Sequence, residues 1–470
     1  MRVIVLLTDS FRYDHLGFLG RKPVETPALD AFAQEATMFH QHYCGSFPTL
    51  PNREDFLTGK TGFPFHGWGP LAENAVTMPQ VLEKNGIPSQ LITDTPHMMK
   101  LGFNYHKGFT SYLWVRGQEA DHPLTRLNYP IDIQIPHEKT RPIPKAFGKY
   151  TLADMQRWDQ MNHWHYEEDK IVSRVADTAC EWLQDNYQAE NFLLWCDFFD
   201  PHEPWDPPAY FVKKYDPDYK GIPMFHPNYG KAEDYTPEEL HNLWAHYAAE
   251  VSLVDKSIGR VLRLIKDTGI WEDTMIVWTT DHGIYIGEHN FTGKSNINPR
   301  DDRGNWPLLD EICHTPLMIK PAGGRKVAEV HERVQPIDLF PTVLDAFNMT
   351  TDMTKLEGLS MTPLLQGKSE GWQRNEAISA QCMVAANKDN PQSPNWITIN
   401  DGEWTLIYGG RPQDSNMLFN TKTDPLQSNN LIATEREVAD RLYARSIEYL
   451  KSMNTSEERL ATYQKCYAKD

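Results

Sequence analysis

The sequence predicts an α/β layered fold with a large, mostly parallel central sheet flanked by helices, plus a smaller C-terminal lobe with a short antiparallel sheet. Three observations predict it. Continuous apolar, β-branched runs recur as far as Ile319, helical patterns separate them, and the texture changes to hairpin-like alternation after about Gly367. Strands that alternate with helices imply a layered fold whose parallel sheet is covered on both faces.

The first run, Arg2 to Thr8 (RVIVLLT), has the unbroken apolar character of a central strand. Asn191 to Cys196, Thr274 to Thr280 and Pro316 to Ile319 repeat it. Thr26-Pro27 opens a helix as N-cap and first residue, with Leu29, Phe32 and Ala33 at helical spacing. Thr236-Pro237-Glu238-Glu239 is a capping box that starts a long helix. The inner face of that helix carries Val251, Val254, Ile258, Val261, Leu262 and Ile265. In the last part of the chain, Trp396 to Asn400 and Glu403 to Tyr408 form a hairpin about Asp401-Gly402, and a last helix runs from about Glu435 to Lys451. The expected division is a catalytic α/β domain over residues 1–367 and a C-terminal α+β subdomain over 368–470. Pro123 to Tyr150 and Pro201 to Tyr235 are expected to be long ordered excursions that shape a substrate mouth.

A 470-residue chain buries a large core, and a hydrophobic content of 40% with 23% charged residues is that of an ordinary globular protein. A formal net charge of −18 with no Lys/Arg cluster excludes a broad nucleic-acid footprint, so an anionic substrate needs local cations. The six cysteines (Cys44, Cys180, Cys196, Cys313, Cys382, Cys466) show no paired spacing, which fits reduced thiols. With no secretory signal and no apolar stretch long enough to span a bilayer, a cytoplasmic protein without a membrane partner is expected.

Ligands of parallel sheets gather at the carboxyl ends of the strands. Asp9 directly follows the first strand and Asp281-His282 directly follows the Thr274 to Thr280 strand, so both lie on that edge. Two carboxylates and an imidazole suit a divalent cation. Thr49 lies where Gly45-Ser46-Phe47-Pro48, read as irregular, meets a helix with Pro51 in its first turn. There its hydroxyl feels the positive end of the helix dipole, and a bound cation would favour its ionisation further. Arg53, one turn on, shares its face and is placed to hold an ester oxygen. In isolation, Thr49 and Arg53 also read as an ordinary N-cap with a surface arginine. Lys294 and His289 are partners for the oxygens of a transferred group. His202, in Asp200-Pro201-His202-Glu203-Pro204, and His97, in Asp94-Thr95-Pro96-His97, are candidates to protonate a leaving group or bind oxygens, or else to stiffen their loops. His163-Trp164-His165 reads as surface.

These residues resemble the sulfatase family of the alkaline phosphatase superfamily, nearly end to end. Leu7-Thr8-Asp9-Ser10-Phe11-Arg12 is similar to the family's opening strand and metal loop, and Thr49-x-Pro51-x-Arg53 with Leu57-Thr58-Gly59 to its nucleophile signature. Asp281-His282-Gly283, Gly287-Glu288-His289 and Lys294 resemble its second metal motif and substrate-binding lysine. Ile337 to Thr342, Glu357 to Ser360 and Leu418-Phe419-Asn420 match later landmarks. The resemblance implies an alkaline-phosphatase-like layered fold and a metal-dependent hydrolase of small anionic esters.

Two departures qualify it. Usual sulfatases carry Cys or Ser where this chain has Thr49 and oxidise it to formylglycine, a conversion not expected of threonine. Cys44 cannot substitute, since it lacks a proline two residues on and an arginine four on. Ser10 stands where many sulfatases place a second aspartate. The set Asp9, Thr49, Asp281 and His282 resembles the Thr-nucleophile phosphodiesterases and phosphotransferases of the superfamily. Their second-metal pair, Asp-x-x-x-His, is not assigned to any residues before Asp281, and Asp310 with His314 comes too late. One divalent ion is therefore expected, Ca, Mn, Mg or Zn, with Ca or Mn favoured. The expected function is hydrolysis of sulfate or phosphate esters through Thr49, with phosphoester chemistry mechanistically easier. A catalytically silent anion-binding or scaffold protein and a phosphotransferase are the alternatives.

Overall fold

The structure is a computed structural model that describes residues 1–118, 121, 166–296, 304–349, 356–383, 395–410 and 414–468. The Pro123 to Tyr150 stretch and the His163 to His165 cluster lie outside the described residues.

The central strands are β1 (Arg2–Thr8), β2 (Thr37–Phe39), β4 (Ser89–Thr93), β5 (Ser111–Trp114), β6 (Phe192–Asp197), β7 (Thr274–Thr280), β8 (Leu317–Lys320) and β9 (Glu329–Val330); the short β3 (Ser46–Phe47) lies apart. They lie in the order β9-β2-β8-β7-β1-β6-β4-β5. Strand β8 runs antiparallel to β7 and β2, and the other pairings of this sheet are parallel. The four apolar runs of the sequence are thus β1, β6, β7 and β8.

Alternation along β1 explains the layers. Ile4 and Leu6 face one core with Leu194, Ile276 and Trp278, against the helices Pro27–Ala33 (α1), Ile171–Asn186 and Pro237–Asp267. Val3, Val5 and Leu7 face a second core with Trp195 and Val277, against Thr49–Thr58 (α2), Met78–Lys84 and Leu339–Ala346. All five β1 side chains are fully buried, and at roughly 1.5–3 kcal/mol for each large apolar side chain such strands anchor the fold.

The capping box at Thr236 forms as the sequence implies, and Val251, Val254, Ile258, Val261, Leu262 and Ile265 are all buried. At α1 the cap differs from the sequence expectation. The Thr26 hydroxyl accepts from Gly17 N and donates to Asp30, and Asp255 from the long helix instead accepts the Ala28 and Leu29 amides. Pro201 to Tyr235 is not loop throughout, since it contains the helix Ala209–Tyr215.

The C-terminal lobe is an antiparallel sheet of Ala377–Gln381, Ile397–Asn400, Trp404–Tyr408 and Met417–Asn420. Strand β3, irregular by its sequence, adds to its edge in parallel, with Ser46 beside Ala380 and Phe47 beside Gln381. Helices Arg436–Ser452 and Glu457–Tyr467 cover one face through Leu442, Leu450, Leu460 and Tyr463, the second of them unforeseen. The segment that delivers Thr49 is therefore held by the C-terminal sheet. Among the described residues no helix is long and apolar enough to cross a membrane.

Candidate active site

Strand register sets the first two candidate ligands side by side. Thr8 pairs with Thr280 in the parallel β1/β7 ladder, so the next residues, Asp9 and Asp281, leave the sheet together. Asp281 N donates to Thr8 O, and the Ser10 and His282 amides donate to Asp281 Oδ1 at 3.1 and 2.7 Å. Gly283 makes the turn possible: a Cβ there would meet Glu311 O at 2.0 Å. Ser10, held at φ 62°, donates to Asp9 Oδ1 at 2.7 Å.

His282 Nδ1 is 2.9 Å from the Gly283 carbonyl, which can only accept, so the proton sits on Nδ1 and Nε2 is an acceptor. Thr49 Oγ1 stands 3.3 Å from that Nε2. Donor atoms of Asp9, Asp281 and His282 all lie within 4.8 Å of one another, and the three residues are fully buried.

Thr49 is the first residue of α2, and α2 grips its own approach. Asp55, within the helix, reaches back to accept from the Ser46 amide, the Ser46 hydroxyl and the Gly62 amide. A side chain at Gly45 would collide with this carboxylate, at 2.3 Å. Asn52, on the same side of α2 by i,i+3 spacing, is fully buried, and its side-chain amide has no hydrogen-bond partner among the described residues.

Arg53 is also fully buried. Its Nη1 donates to Asp281 Oδ2 at 2.6 Å, Asp9 Oδ2 at 3.1 Å and Thr49 O at 3.2 Å. Its Nε and Nη2 hold Asp197, the last residue of β6, which also accepts from Thr95. The guanidinium thus organises three carboxylates. Asp197 was missed in the sequence, although the rule that singled out Asp9 and Asp281, an aspartate at the carboxyl end of a buried strand, applies to it.

Electrostatics separate the two carboxyls. Burial opposes ionisation of Asp9, yet Arg53, His202, His282 and Lys294 together hold it well below the usual range. Burial and the charge of Asp9 push Asp281 up, against Arg53. Burial brings the His282 imidazole down to about 3, so it is neutral near pH 7.

Lys294 donates to Ser10 Oγ and Glu203 Oε2, each at 3.3 Å, which places it over the Asp9 loop. Glu203 in turn accepts from the Tyr229 hydroxyl. His202 is buried, with Nδ1 2.7 Å from Glu203 O, and its ring stacks on Phe199 at 4.0 Å. Phe199 meets the His97 ring at 5.8 Å, and His97 meets Trp68 at 4.9 Å. Trp68 is 40% exposed, so this ladder of rings runs from the surface to the vicinity of Asp9. The structure brings together Asp9, Thr49, Arg53, Asp281 and His282, with Lys294 and His202 beside them. His289 is placed differently: its Nε2 lies 3.3 Å from Glu311, which raises its pKa against burial, and its ring meets Tyr285. Asp310 and His314 face each other at 3.7 Å, with His314 stacked between Tyr13 and Tyr43.

The profile of the family described as Sulfatase matches residues 2–349. The chain is 24% identical to the multifunctional alkaline phosphatase superfamily protein PehA of Trinickia caryophylli, over 91% of this chain and 90% of the relative. It is 22% identical to an arylsulfatase of Clostridium perfringens, over 96% and 93% of the two chains. Among solved structures, the phosphonate monoester hydrolase of Agrobacterium radiobacter superimposes with a TM-score of 0.71 at 21% identity, covering 96% of this chain and 95% of that one.

Proposed function

Because the chain belongs to the sulfatase family, whose members are sulfuric or phosphoric ester hydrolases, we propose that it hydrolyses phosphate diesters or phosphonate esters with Thr49 as nucleophile. The observation that carries this reading is the Thr49 hydroxyl, 3.3 Å from His282 Nε2 inside the buried Asp9, Asp281 and His282 cluster.

Sulfatase-family proteins generally bind a divalent metal, and the donor set fits one. Two carboxylates and a neutral imidazole that presents the Nε2 lone pair are suited to such an ion, and Thr49 Oγ1 adjoins them. When bound, the ion would lower the pKa of the Thr49 hydroxyl and neutralise charge on the ester.

The remaining steps belong to the chain's own groups. Ionised Thr49 Oγ1 attacks phosphorus, the bond to the leaving oxygen breaks, and His202 gives that oxygen a proton. Water then attacks the threonyl ester, His202 takes the proton back, and the Thr49–phosphorus bond breaks. Arg53 keeps Asp9, Asp197 and Asp281 converged, Lys294 neutralises a non-bridging oxygen, and the His97 to Trp68 ladder receives the leaving group. The phosphoester preference follows from the nucleophile: a threonyl sulfate lacks the self-release open to a formylglycine hydrate, whereas a threonyl phosphoester can be attacked at phosphorus. The name of the structurally similar phosphonate monoester hydrolases lies on the same side, and that of the arylsulfatase lies on the other.

The test is a panel of aryl sulfate, phosphate monoester, phosphate diester and aryl phosphonate monoester with added Mn or Ca. The expected order places the diester or phosphonate ester highest in kcat/KM. Faster turnover of the sulfate overturns the preference, and no turnover of any of them by metal-loaded protein overturns the activity.

A further inference from the structure

A second ligand cluster lies at the edge of the central sheet, built by strand register. In the parallel β2/β9 pair Glu329 lies beside Met38 and Val330 beside Phe39, and His40 N donates to Val330 O at 2.9 Å. Alternation along β9 puts Glu329 and His331 on one face, and the ladder carries His40 up to them. The two imidazole rings are parallel, 13° apart in plane and 4.9 Å between centroids. His40 Nε2 is 3.8 Å from Glu329 Oε1, and His331 Nε2 is 3.7 Å from Glu329 Oε2.

These separations are too long for hydrogen bonds. They are close to the spacing of donors that share one tetrahedral ion, since two bonds of about 2.1 Å at that angle put ligand atoms about 3.4 Å apart. A second feature is the anchoring of His40. The Tyr13 hydroxyl is 2.8 Å from His40 Nδ1, which fixes the ring and directs Nε2 at the cluster. Tyr13 is itself held, stacked on His314 at 4.0 Å, while His314 Nε2 donates to His40 O at 2.8 Å. Beyond His331 opens a cavity of about 470 Å³, lined also by Gln41, Arg333, Asp401, Glu403 and Lys422. Glu329 and His331 are 62% and 69% exposed in their side chains, so an ion has free entry.

We propose that His40 Nε2, His331 Nε2 and the Glu329 carboxylate bind a zinc ion distinct from any ion held by Asp9, Asp281 and His282. Two imidazoles and one carboxylate are a borderline donor set that zinc satisfies better than Ca or Mg, and three protein ligands leave a fourth position towards the cavity. The ion would tie the edge strand β9 to β2, beside the Asp401-Gly402 turn of the C-terminal hairpin.

The experiment measures zinc bound per full-length chain by competition with a chromophoric chelator, in wild type, His331→Asn, Glu329→Gln and Tyr13→Phe, with circular dichroism as the folding control. Wild type is expected to bind one zinc more than His331→Asn or Glu329→Gln, and Tyr13→Phe to keep the site at about 10–100-fold lower affinity. Equal stoichiometry and affinity in wild type and His331→Asn would overturn the proposal. Because the readout is zinc and not turnover, its failure is separate from that of the proposed activity.

Discussion

Arg53 Nη1 stands 2.6 Å from Asp281 Oδ2, and the same nitrogen reaches Asp9 Oδ2 at 3.1 Å, with every atom of the arrangement out of solvent. Removing one partner of a buried charge network leaves the others uncompensated, at a cost of about 3–5 kcal/mol. Arg53→Met is therefore expected to lose that much stability in urea unfolding and to lose turnover. Arg53→Lys recovers only part, because an ammonium cannot hold Asp197 through two nitrogens and still reach Asp9 and Asp281.

The ring ladder predicts selectivity for the leaving group. Trp68 lies at its exposed end, 4.9 Å from His97. An aromatic contact of this kind is worth about 0.5–1.5 kcal/mol. Trp68→Ala is expected to raise KM for an aryl ester by about 2–10-fold with kcat unchanged, and to leave a small alkyl ester unaffected. Equal effects on both esters would remove the ladder from the substrate path.

Metal removal gives a third check. Chelation is expected to abolish hydrolysis, with recovery on adding Mn or Ca. Asp281→Asn keeps the bulk of the side chain but loses a charged donor, so it should need more than about tenfold more metal for half-maximal rate, given that even outer partners of ligands contribute 10–100-fold. A metal titration curve identical to wild type would take Asp281 out of the ligand set.

Much of the frame was legible because the central strands are covered on both faces. That requirement writes unbroken apolar runs into Arg2–Thr8, Phe192–Asp197 and Thr274–Thr280, and it puts Asp9 and Asp281 at their ends. What was not legible depends on partners distant in sequence. Ser46–Phe47 becomes a strand only because Ala380 and Gln381 lie beside it, and the cap of α1 comes from Asp255, more than two hundred residues away. Asp197 is a different case, since the apolar run stops at Cys196, one residue short of the carboxylate that holds Arg53. His289 follows an expected motif, but its ring is paired with Glu311, 22 residues further on, which motif spacing does not encode.

Acid stability follows from His42. Burial, with His314 nearby, holds this imidazole down at about 3 in the folded chain, against about 6.5 when unfolded. Below about pH 6.5 the unfolded state takes up a proton that the folded state refuses, so this contribution is complete above that value and declines as the pH falls towards the folded value. The slope is up to about 1.4 kcal/mol per pH unit. Urea unfolding at about pH 7.5 and about pH 5.5 should show the loss in wild type and a shallower one in His42→Asn. An unchanged slope in the variant would assign the acid loss to other groups.

In the proposed mechanism Thr49 Oγ1 forms a bond to the substrate. Rapid-quench mass spectrometry of the peptide containing Thr49, taken during turnover of an aryl phosphonate monoester, measures that bond. A phosphonyl adduct on Thr49 is expected in wild type, with Thr49→Ala showing none and losing more than about a thousandfold in rate while keeping its metal. Turnover by metal-loaded Thr49→Ala at the wild-type rate, or an adduct on another residue, would contradict it.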